Sequence, residues 1–149
     1  MQFFENRIPP PLVTVLFMLA AWLFDSTPTE VIWIQVVSAA SVIAGVWVAR
    51  LSMMRFFRAK TTINPLRPES ASALVTGGIF GYTRNPMYLA LALALFAFSL
   101  YFTGWWSLVF TGGFVAFLTQ FQIKPEERAL VQIFGEDYVH YRQTVRRWC

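Results

Sequence analysis

Four stretches of the chain contain no Asp, Glu, Lys or Arg, and this feature constrains the fold more than any other. They cover residues 12–24, 31–48, 86–102 and 105–121. A helix needs about 20 mostly apolar residues to cross a bilayer. The chain is 56% hydrophobic and only 13% charged, whereas soluble domains carry roughly 25% charged residues. The sequence therefore predicts an all-α integral membrane protein with about four transmembrane helices.

The first apolar stretch is long enough for a span only if residues 8–11 extend it. A stretch of this size is also typical of a signal peptide, but Glu5 accompanies Arg7 before it and no small-residue cleavage pattern follows it. We expect the first span to be retained. The predicted spans lie at about 8–24, 31–50, 86–102 and 105–121.

The cationic residues fall on one side of these spans. The turn at residues 25–30 holds two acids and no base, the turn at 102–104 holds no charge, and all twelve Lys and Arg lie in the N-terminus, the central loop or the C-terminal tail. Loops that face the cytoplasm carry an excess of Lys and Arg. We therefore expect both termini to be cytoplasmic. The outer turns are too short to host chemistry, so we expect function at the cytoplasmic face.

The C-terminal tail shows a helical pattern that restarts after Gln122. Pro125 suits the first turn of a helix, the two acids after it favour the positive end of the helix dipole, and Gly135 is expected to end this helix. Farther on, large side chains recur at steps of three and four residues while arginines occupy other faces; they are Tyr138, Tyr141, Val145 and Trp148. The pattern predicts cytoplasmic amphipathic helices at the membrane surface.

Composition excludes several classes of function. The net charge is +4, but a nucleic-acid groove needs a water-facing surface, so we expect membrane lipids and not nucleic acid as partners. Cys149 and His140 are the single residues of their types. Neither supports a disulfide, a metal site or a Ser-His triad, and we expect no bound metal.

Two polar blocks, residues 74–88 and 126–141, lie at the cytoplasmic ends of predicted spans. The glycines of the first block can form a backbone nest for an anion, or ordinary turns. Arg84 can bind a lipid headgroup, or simply precede a helix that begins at Pro86. The acids of the second block serve a helix dipole or a site equally well. The residue types alone leave these alternatives open.

Five fragments of these blocks stand in a particular order and spacing. They are Leu74-Val75-Thr76-x-Gly78, Thr83-Arg84-Asn85-Pro86-Met87-Tyr88, Glu126-Glu127-x-x-Leu130, Phe134-Gly135-x-x-Tyr138-x-x-Tyr141 and Val145-x-Arg147-Trp148. Over residues 56–148 the chain resembles the isoprenylcysteine carboxyl methyltransferase family of membrane enzymes and its phospholipid N-methyltransferase relatives. The resemblance implies one bacterial inner-membrane domain, residues 1–149, with S-adenosylmethionine bound by a cytoplasmic loop, 56–85, and the tail, 122–149.

The resemblance also implies which residues line the cofactor pocket. They are Ser72, Ala73, Leu74, Val75, Phe80, Asn85, Pro86, Met87, Tyr88 and Glu126. Within this set, Glu126 is expected to hold the cofactor's ammonium group, and the rings of Tyr88 and Phe80 its adenine or methionine portion. Arg84, Tyr88 and Glu126 are the residues to which the resemblance gives catalytic roles.

Two positions depart from the family pattern. Asn85 stands where the eukaryotic enzymes usually have His. Gln122 stands where enzymes that modify prenylcysteine have an Arg for the substrate carboxylate, and a Gln amide cannot replace that charge. Gln122 is therefore the predicted substrate residue, and the acceptor, whether a carboxylate or an amine on a lipid or another lipophilic small molecule, stays open.

The residues agree with methyl transfer on physical grounds. Transfer from a sulfonium to an anionic nucleophile consumes two opposite charges, so a pocket that excludes water favours the transition state. Two other classes of protein are alternatives. A sterol-reductase-like oxidoreductase would bind NADPH instead, and a four-span exporter driven by protons would normally carry an ionisable residue inside a span, which none of the four stretches has.

Overall fold

The computed structural model describes residues 8–59 and 73–149, and this part of the chain is helical without any strand. Six α-helices lie within it. They are α1 (Pro10–Phe24), α2 (Ile32–Ala59), α3 (Pro86–Thr103), α4 (Ser107–Leu118), α5 (Lys124–Phe134) and α6 (Glu136–Thr144). Two 3₁₀ turns, Gly78–Gly81 and Gly104–Trp106, and a π-helical turn, Thr119–Ile123, complete the described structure.

Helix α3 lies at the centre of the fold. α1, α2 and α4 all pack against it, and the buried cluster that joins α1, α3 and α4 consists of Val13, Tyr88, Ala92, Leu95, Phe114, Leu118 and Ile123. α1 and α2 each contact α3 but scarcely contact one another. A groove floored by α3 therefore lies between them.

Helices α3 and α4 form a hairpin that turns at Gly104. This glycine has φ +56°, a conformation that residues with a side chain rarely adopt. The chain runs back along α3, so that the Tyr88 hydroxyl meets Glu126 at 3.0 Å. The hairpin thus brings the beginning of α3 beside the beginning of α5.

Small residues allow α2 to approach α3 closely. Ser38, Gly45 and Ser52 are the buried residues of α2 and recur every seventh position. A Cβ atom at Gly45 would lie 3.2 Å from the Ala90 carbonyl oxygen. Such small-residue interfaces are typical of helices that pack within membranes.

Two helical runs are long and apolar enough to cross a membrane by length and composition. They are α2 and the run Pro86–Phe134, which folds back at Gly104, while α1 is apolar but shorter. On α2, Ile43 is 70% exposed and Trp47 is 59% exposed, and soluble monomers rarely leave large apolar patches uncovered. The predicted all-α class is confirmed for the described residues, and the count of four spans stays a prediction.

Helix α2 extends beyond the predicted end of the second span at residue 50. Arg55 and Arg58 are helical, and α2 ends only at Ala59. Hydropathy falls where the arginines begin, but neither Gly nor Pro interrupts this stretch, and Met, Arg and Ala all favour a helix. The predicted loop at 56–85 therefore begins too early.

The predicted break before the tail helix is also wrong. α4 continues through the π-helical turn directly into α5. Pro125 cannot donate the hydrogen bond that an α-helix needs four residues back, and the wider π-helical turn accommodates its ring. Gly135, with φ +52°, ends α5 as predicted.

Helix α6 ends earlier than the side-chain pattern predicts. Its last residue is Thr144, and Val145 has an extended backbone. Trp148 consequently leaves the predicted helical face and donates its Nε1–H to Thr119 Oγ1 at 3.0 Å. Tyr138 and Tyr141 are the buried residues of α6. An amphipathic placement of these helices at a membrane surface stays a prediction.

Candidate functional site

A cavity of about 430 Å³ lies where the first residues of α1, the second half of α2 and the first turns of α3 meet. Its walls are mostly apolar. The lining residues are Pro9, Pro10, Pro11, Ala49, Phe56, Phe80, Arg84, Asn85, Pro86, Met87, Tyr88, Ala90, Leu91 and Glu126. Binding sites for small molecules typically have this size and a few polar groups in an apolar wall.

Tyr88 and Glu126 form the hydrogen-bonded pair of this cavity. The Tyr88 hydroxyl donates to Glu126 Oε2 at 3.0 Å. Pro86 begins α3 and so places Tyr88 in its first turn, while Pro125 lies in the first turn of α5 beside Glu126. Proline suits the beginning of α3 because the first N–H groups of a helix have no partner within it, and the π-helical turn before α5 accommodates the ring of Pro125. The first turns of α3 and α5 thus bring the pair together.

Arg84 contributes a buried positive charge to the same wall. Its side chain is only 9% exposed, and its Nη2 lies 3.1 Å from Glu127 Oε1. Its Nε and Nη1 groups are buried without a hydrogen-bond partner among the described residues. Because buried N–H groups without a partner are costly, these two donors are suited to bind an anionic group in the cavity.

The second acid of the Glu-Glu pair has a different environment from the first. Arg147 donates to both carboxylate oxygens of Glu127, from Nε at 2.9 Å and from Nη2 at 2.7 Å. This hydrogen bond raises the pKa of the Arg147 guanidinium. Glu127 therefore bridges Arg84 and Arg147, whereas Glu126 faces the cavity.

The C-terminal segment, residues 145–148, holds the loop before α3. The Arg84 N–H donates to the Arg146 carbonyl oxygen at 3.0 Å. The Asn85 side-chain amide donates to the Arg147 carbonyl oxygen at 2.9 Å. These bonds fix the backbone on which Arg84, Asn85 and Pro86 reach the cavity.

Phe80 is held in the wall from two sides. The Tyr141 hydroxyl of α6 donates to the Phe80 carbonyl oxygen at 2.6 Å, and burial raises the pKa of Tyr141 to about 12, so the donor proton is retained at neutral pH. The Phe56 ring of α2 meets the Phe80 ring edge to face, with 5.2 Å between centroids. Gly78, with φ +66°, forms the turn beneath the Arg55 guanidinium.

Gln122, the predicted substrate residue, does not line this cavity. It is fully buried, and its Nε2 donates to the Ile8 carbonyl oxygen at 2.8 Å. Ile8 precedes Pro9, Pro10 and Pro11, which form one wall of the cavity. Gln122 therefore contacts the chain that leads into the wall.

The structure brings most of the predicted site residues into one cavity. Phe80, Asn85, Pro86, Met87, Tyr88 and Glu126 line it together with Arg84. Ala73, Leu74 and Val75 are described but lie outside this lining, and Ser72 falls outside the described residues.

The sequence did not indicate the wall residues from α1 and α2 or the pairing of Arg147 with Glu127. The run Pro9-Pro10-Pro11, where α1 begins, is a signal that was available, because consecutive prolines form a stiff segment. Arg147 also belongs to the last of the five fragments. Neither signal reveals which residue each side chain meets.

Comparison with known proteins identifies the family of the chain. No solved structure matches the chain. An uncharacterized protein of Haemophilus influenzae is 44% identical over 64 residues, which are 42% of this chain and 98% of that protein. The family model for phospholipid methyltransferases matches residues 33–137, from the beginning of α2 into α6. The chain therefore belongs to the phospholipid methyltransferase family.

Proposed function

We propose that the protein transfers a methyl group from S-adenosylmethionine to a lipid or another lipophilic acceptor at the cytoplasmic membrane face. The observation that carries this proposal is the apolar cavity in which Tyr88, Glu126 and Arg84 meet. Its volume of about 430 Å³ lies within the range of protein sites that bind small molecules and cofactors.

The residues of the cavity fit the cofactor's charges. S-adenosylmethionine supplies a methyl group on a positively charged sulfur, together with an ammonium and a carboxylate. Glu126 offers a carboxylate to the ammonium, and such charge-assisted hydrogen bonds are stronger than neutral ones. Tyr88 donates to Glu126 and so holds its carboxylate in one orientation. The rings of Phe80 and Tyr88 offer apolar faces to the rest of the molecule.

The same walls favour the chemistry. The new bond joins the methyl carbon to an oxygen or nitrogen of the acceptor, and the carbon–sulfur bond breaks with its electron pair left on sulfur. A carboxylate attacks directly, whereas an amine must first lose its proton. Apolar walls exclude water, which would otherwise stabilise the separated charges of the reactants. We assign the residues mainly to positioning, which contributes up to about 7–11 kcal/mol in favourable systems.

The acceptor enters, in our proposal, from the lipid through the groove between α1 and α2. The cavity is lined by Pro10 and Pro11 on one side and by Ala49 and Phe56 on the other. Arg84 binds an oxyanion of the acceptor, a carboxylate or a phosphate, through Nε or Nη1, neither of which has a partner among the described residues. Gln122 acts on the acceptor indirectly, by holding the segment before Pro9.

The proposed topology has four spans in a single domain of residues 1–149, in the bacterial inner membrane with both termini cytoplasmic. It rests on the twelve Lys and Arg, none of which lies in the turns at 25–30 and 102–104. The chemistry then takes place at the end of the hairpin where Tyr88 and Glu126 meet.

Transfer of labelled methyl from S-adenosylmethionine into a lipid extract, with the product identified by mass, tests this function. We expect a labelled lipid with the wild type and a large loss in Glu126→Gln. The matched control is Glu136→Gln, which changes an exposed acid in the first turn of α6. An unlabelled extract, with the wild type folded, would contradict the proposal.

A further inference from the structure

Two arginines share the carboxylate of Glu127. Arg147 makes a two-point contact with it, at 2.9 Å and 2.7 Å. Arg84 makes one contact through Nη2, at 3.1 Å. The Glu127 side chain is 12% exposed and that of Arg84 is 9% exposed, so the shared charge lies inside the protein.

The way in which the two arginines share Glu127 determines which donors of Arg84 are used. A guanidinium binds a carboxylate at two points through Nη2 together with either Nε or Nη1. Because Arg147 already engages both oxygens of Glu127, Arg84 keeps a single contact. Nε and Nη1 of Arg84 consequently have no partner among the described residues, although Arg84 lines the cavity.

We propose that Arg147 is a positioning residue that competes with Arg84 for Glu127 and thereby keeps Arg84 donors available to an oxyanion in the cavity. The inference rests on the proposed function, since it assigns the acceptor's anionic group to Arg84. Without the Arg147 guanidinium, Arg84 would close a two-point pair with Glu127 and use Nε or Nη1, the donors without a partner in the described part of the chain.

The charges of the cluster support this assignment. Arg84 and Arg147 carry two positive charges, and Glu127 supplies one negative charge between them. Glu126 also lines the cavity, but the proposed function assigns its carboxylate to the ammonium group of the cofactor. Buried charges in proteins are normally paired, so a second anion beside Arg84 would complete the pairing.

A binding measurement tests the inference without relying on methyl transfer. The probe is dodecyl phosphate, titrated onto the purified protein in a neutral maltoside detergent, with dodecanol as the uncharged comparison. The variants are Arg147→Met, the double variant Arg147→Met with Glu127→Gln, and Arg142→Met as a matched control for the loss of an exposed arginine. The amide introduced by Glu127→Gln has one carbonyl oxygen and cannot accept a two-point pair from Arg84.

We expect Arg147→Met to weaken dodecyl phosphate binding about tenfold, the scale of one charge-assisted hydrogen bond. The double variant should recover most of the affinity, and Arg142→Met and dodecanol binding should not change. A purely structural role of Arg147 predicts instead that the double variant is worse than the single one. That result, unchanged binding in Arg147→Met, or no binding by the wild type would overturn the inference. Failure of the proposed function appears separately, as absence of methyl transfer by the wild type.

Discussion

The Tyr88 hydroxyl donates to Glu126 Oε2 across 3.0 Å and 38 residues of sequence. The bond joins the first turns of α3 and α5, and both residues line the same cavity. A polar pair in an apolar wall is costly unless it is satisfied. The hydrogen bond provides a partner for both the hydroxyl and one carboxylate oxygen, and the second carboxylate oxygen of Glu126 is available to a ligand.

Replacing Tyr88 by Phe removes the donor but keeps the ring. We expect the affinity for S-adenosylhomocysteine, measured by calorimetry in detergent, to weaken by about threefold to thirtyfold. A hydrogen bond to a charged group is worth about 1.5–3 kcal/mol, and we expect only part of this energy to contribute to ligand affinity. Tyr82→Phe is the control, since Tyr82 is 79% exposed. Equal affinities in the two variants would contradict the assigned role.

Substitutions of Glu126 and Glu127 should affect different properties of the protein. Glu126→Gln is expected to lose S-adenosylhomocysteine affinity and keep its melting temperature. Glu127→Gln is expected to lose about 1–3 kcal/mol of stability, because Arg84 and Arg147 lose a shared charged acceptor. Thermal unfolding with and without the ligand measures both effects. The assignment fails if Glu127→Gln, and not Glu126→Gln, loses affinity at unchanged stability.

Gly78→Ala is expected to damage the wall that carries Phe80. Gly78 has φ +66°, and a Cβ atom there would collide with the Arg55 guanidinium. A side chain in such a conformation costs about 1–3 kcal/mol, so the melting temperature should fall. Gly112→Ala is the control, because nothing lies within 4 Å of its Cβ position and its φ is not positive. Equal melting temperatures in the two variants would refute the expectation.

Gln122→Leu should weaken the binding of the acceptor and leave the binding of the cofactor unchanged. The substitution removes the bond to Ile8 at 2.8 Å and loosens the segment before Pro9. We expect a higher KM for the lipid acceptor at unchanged S-adenosylhomocysteine affinity. Gln120→Leu, which changes a partner of the exposed Lys124 side chain, provides the comparison. A loss of cofactor affinity would instead indicate a direct contact.

The topology is tested by cysteine labelling in intact cells. Cysteines introduced at Ser26 and Trp105 should react with an impermeant thiol reagent from outside, whereas the native Cys149 should not. Both introduced positions are exposed, Trp105 at 77%, so failure to react would not reflect burial in the protein. Labelling of Cys149 from outside would show that the C-terminus is not cytoplasmic and would contradict the proposed topology.

Half of the cavity could be predicted because seven of its fourteen lining residues lie in two short sequence blocks, residues 74–88 and 126–141. The segment from Arg84 to Tyr88 includes the beginning of a helix, where consecutive side chains reach one site. Glu126 follows Pro125, which lies where the π-helical turn passes into α5. The local rules of helix initiation therefore account for the segment from Arg84 to Tyr88, whereas Pro125 marks a change of helix type within a continuous helix.

The remaining features depend on contacts that no local rule encodes. Gln122 meets Ile8, and Arg147 meets Glu127. Each pair joins segments whose approach is set by packing around α3. The length of α2 was underestimated for another reason. Hydropathy indicates which residues favour lipid, whereas the helix continues into the polar residues after position 50 because these residues also favour a helix. Trp148 lies off its predicted helical face because α6 ends at Thr144, and its indole N–H donates to Thr119.

The hairpin of α3 and α4 also determines how the proposed enzyme meets its acceptor. α3 has 18 residues and is about 27 Å long at the usual helical rise, close to the hydrocarbon thickness of a bilayer. In the proposed topology Gly104 lies at the outer surface, which would place Tyr88 and Glu126 at the level of the inner headgroups. An amphiphilic acceptor then arrives by diffusion in two dimensions. The rate should follow the mole fraction of acceptor in the membrane, and dilution with inert lipid should slow the reaction even when the total amount of acceptor is constant.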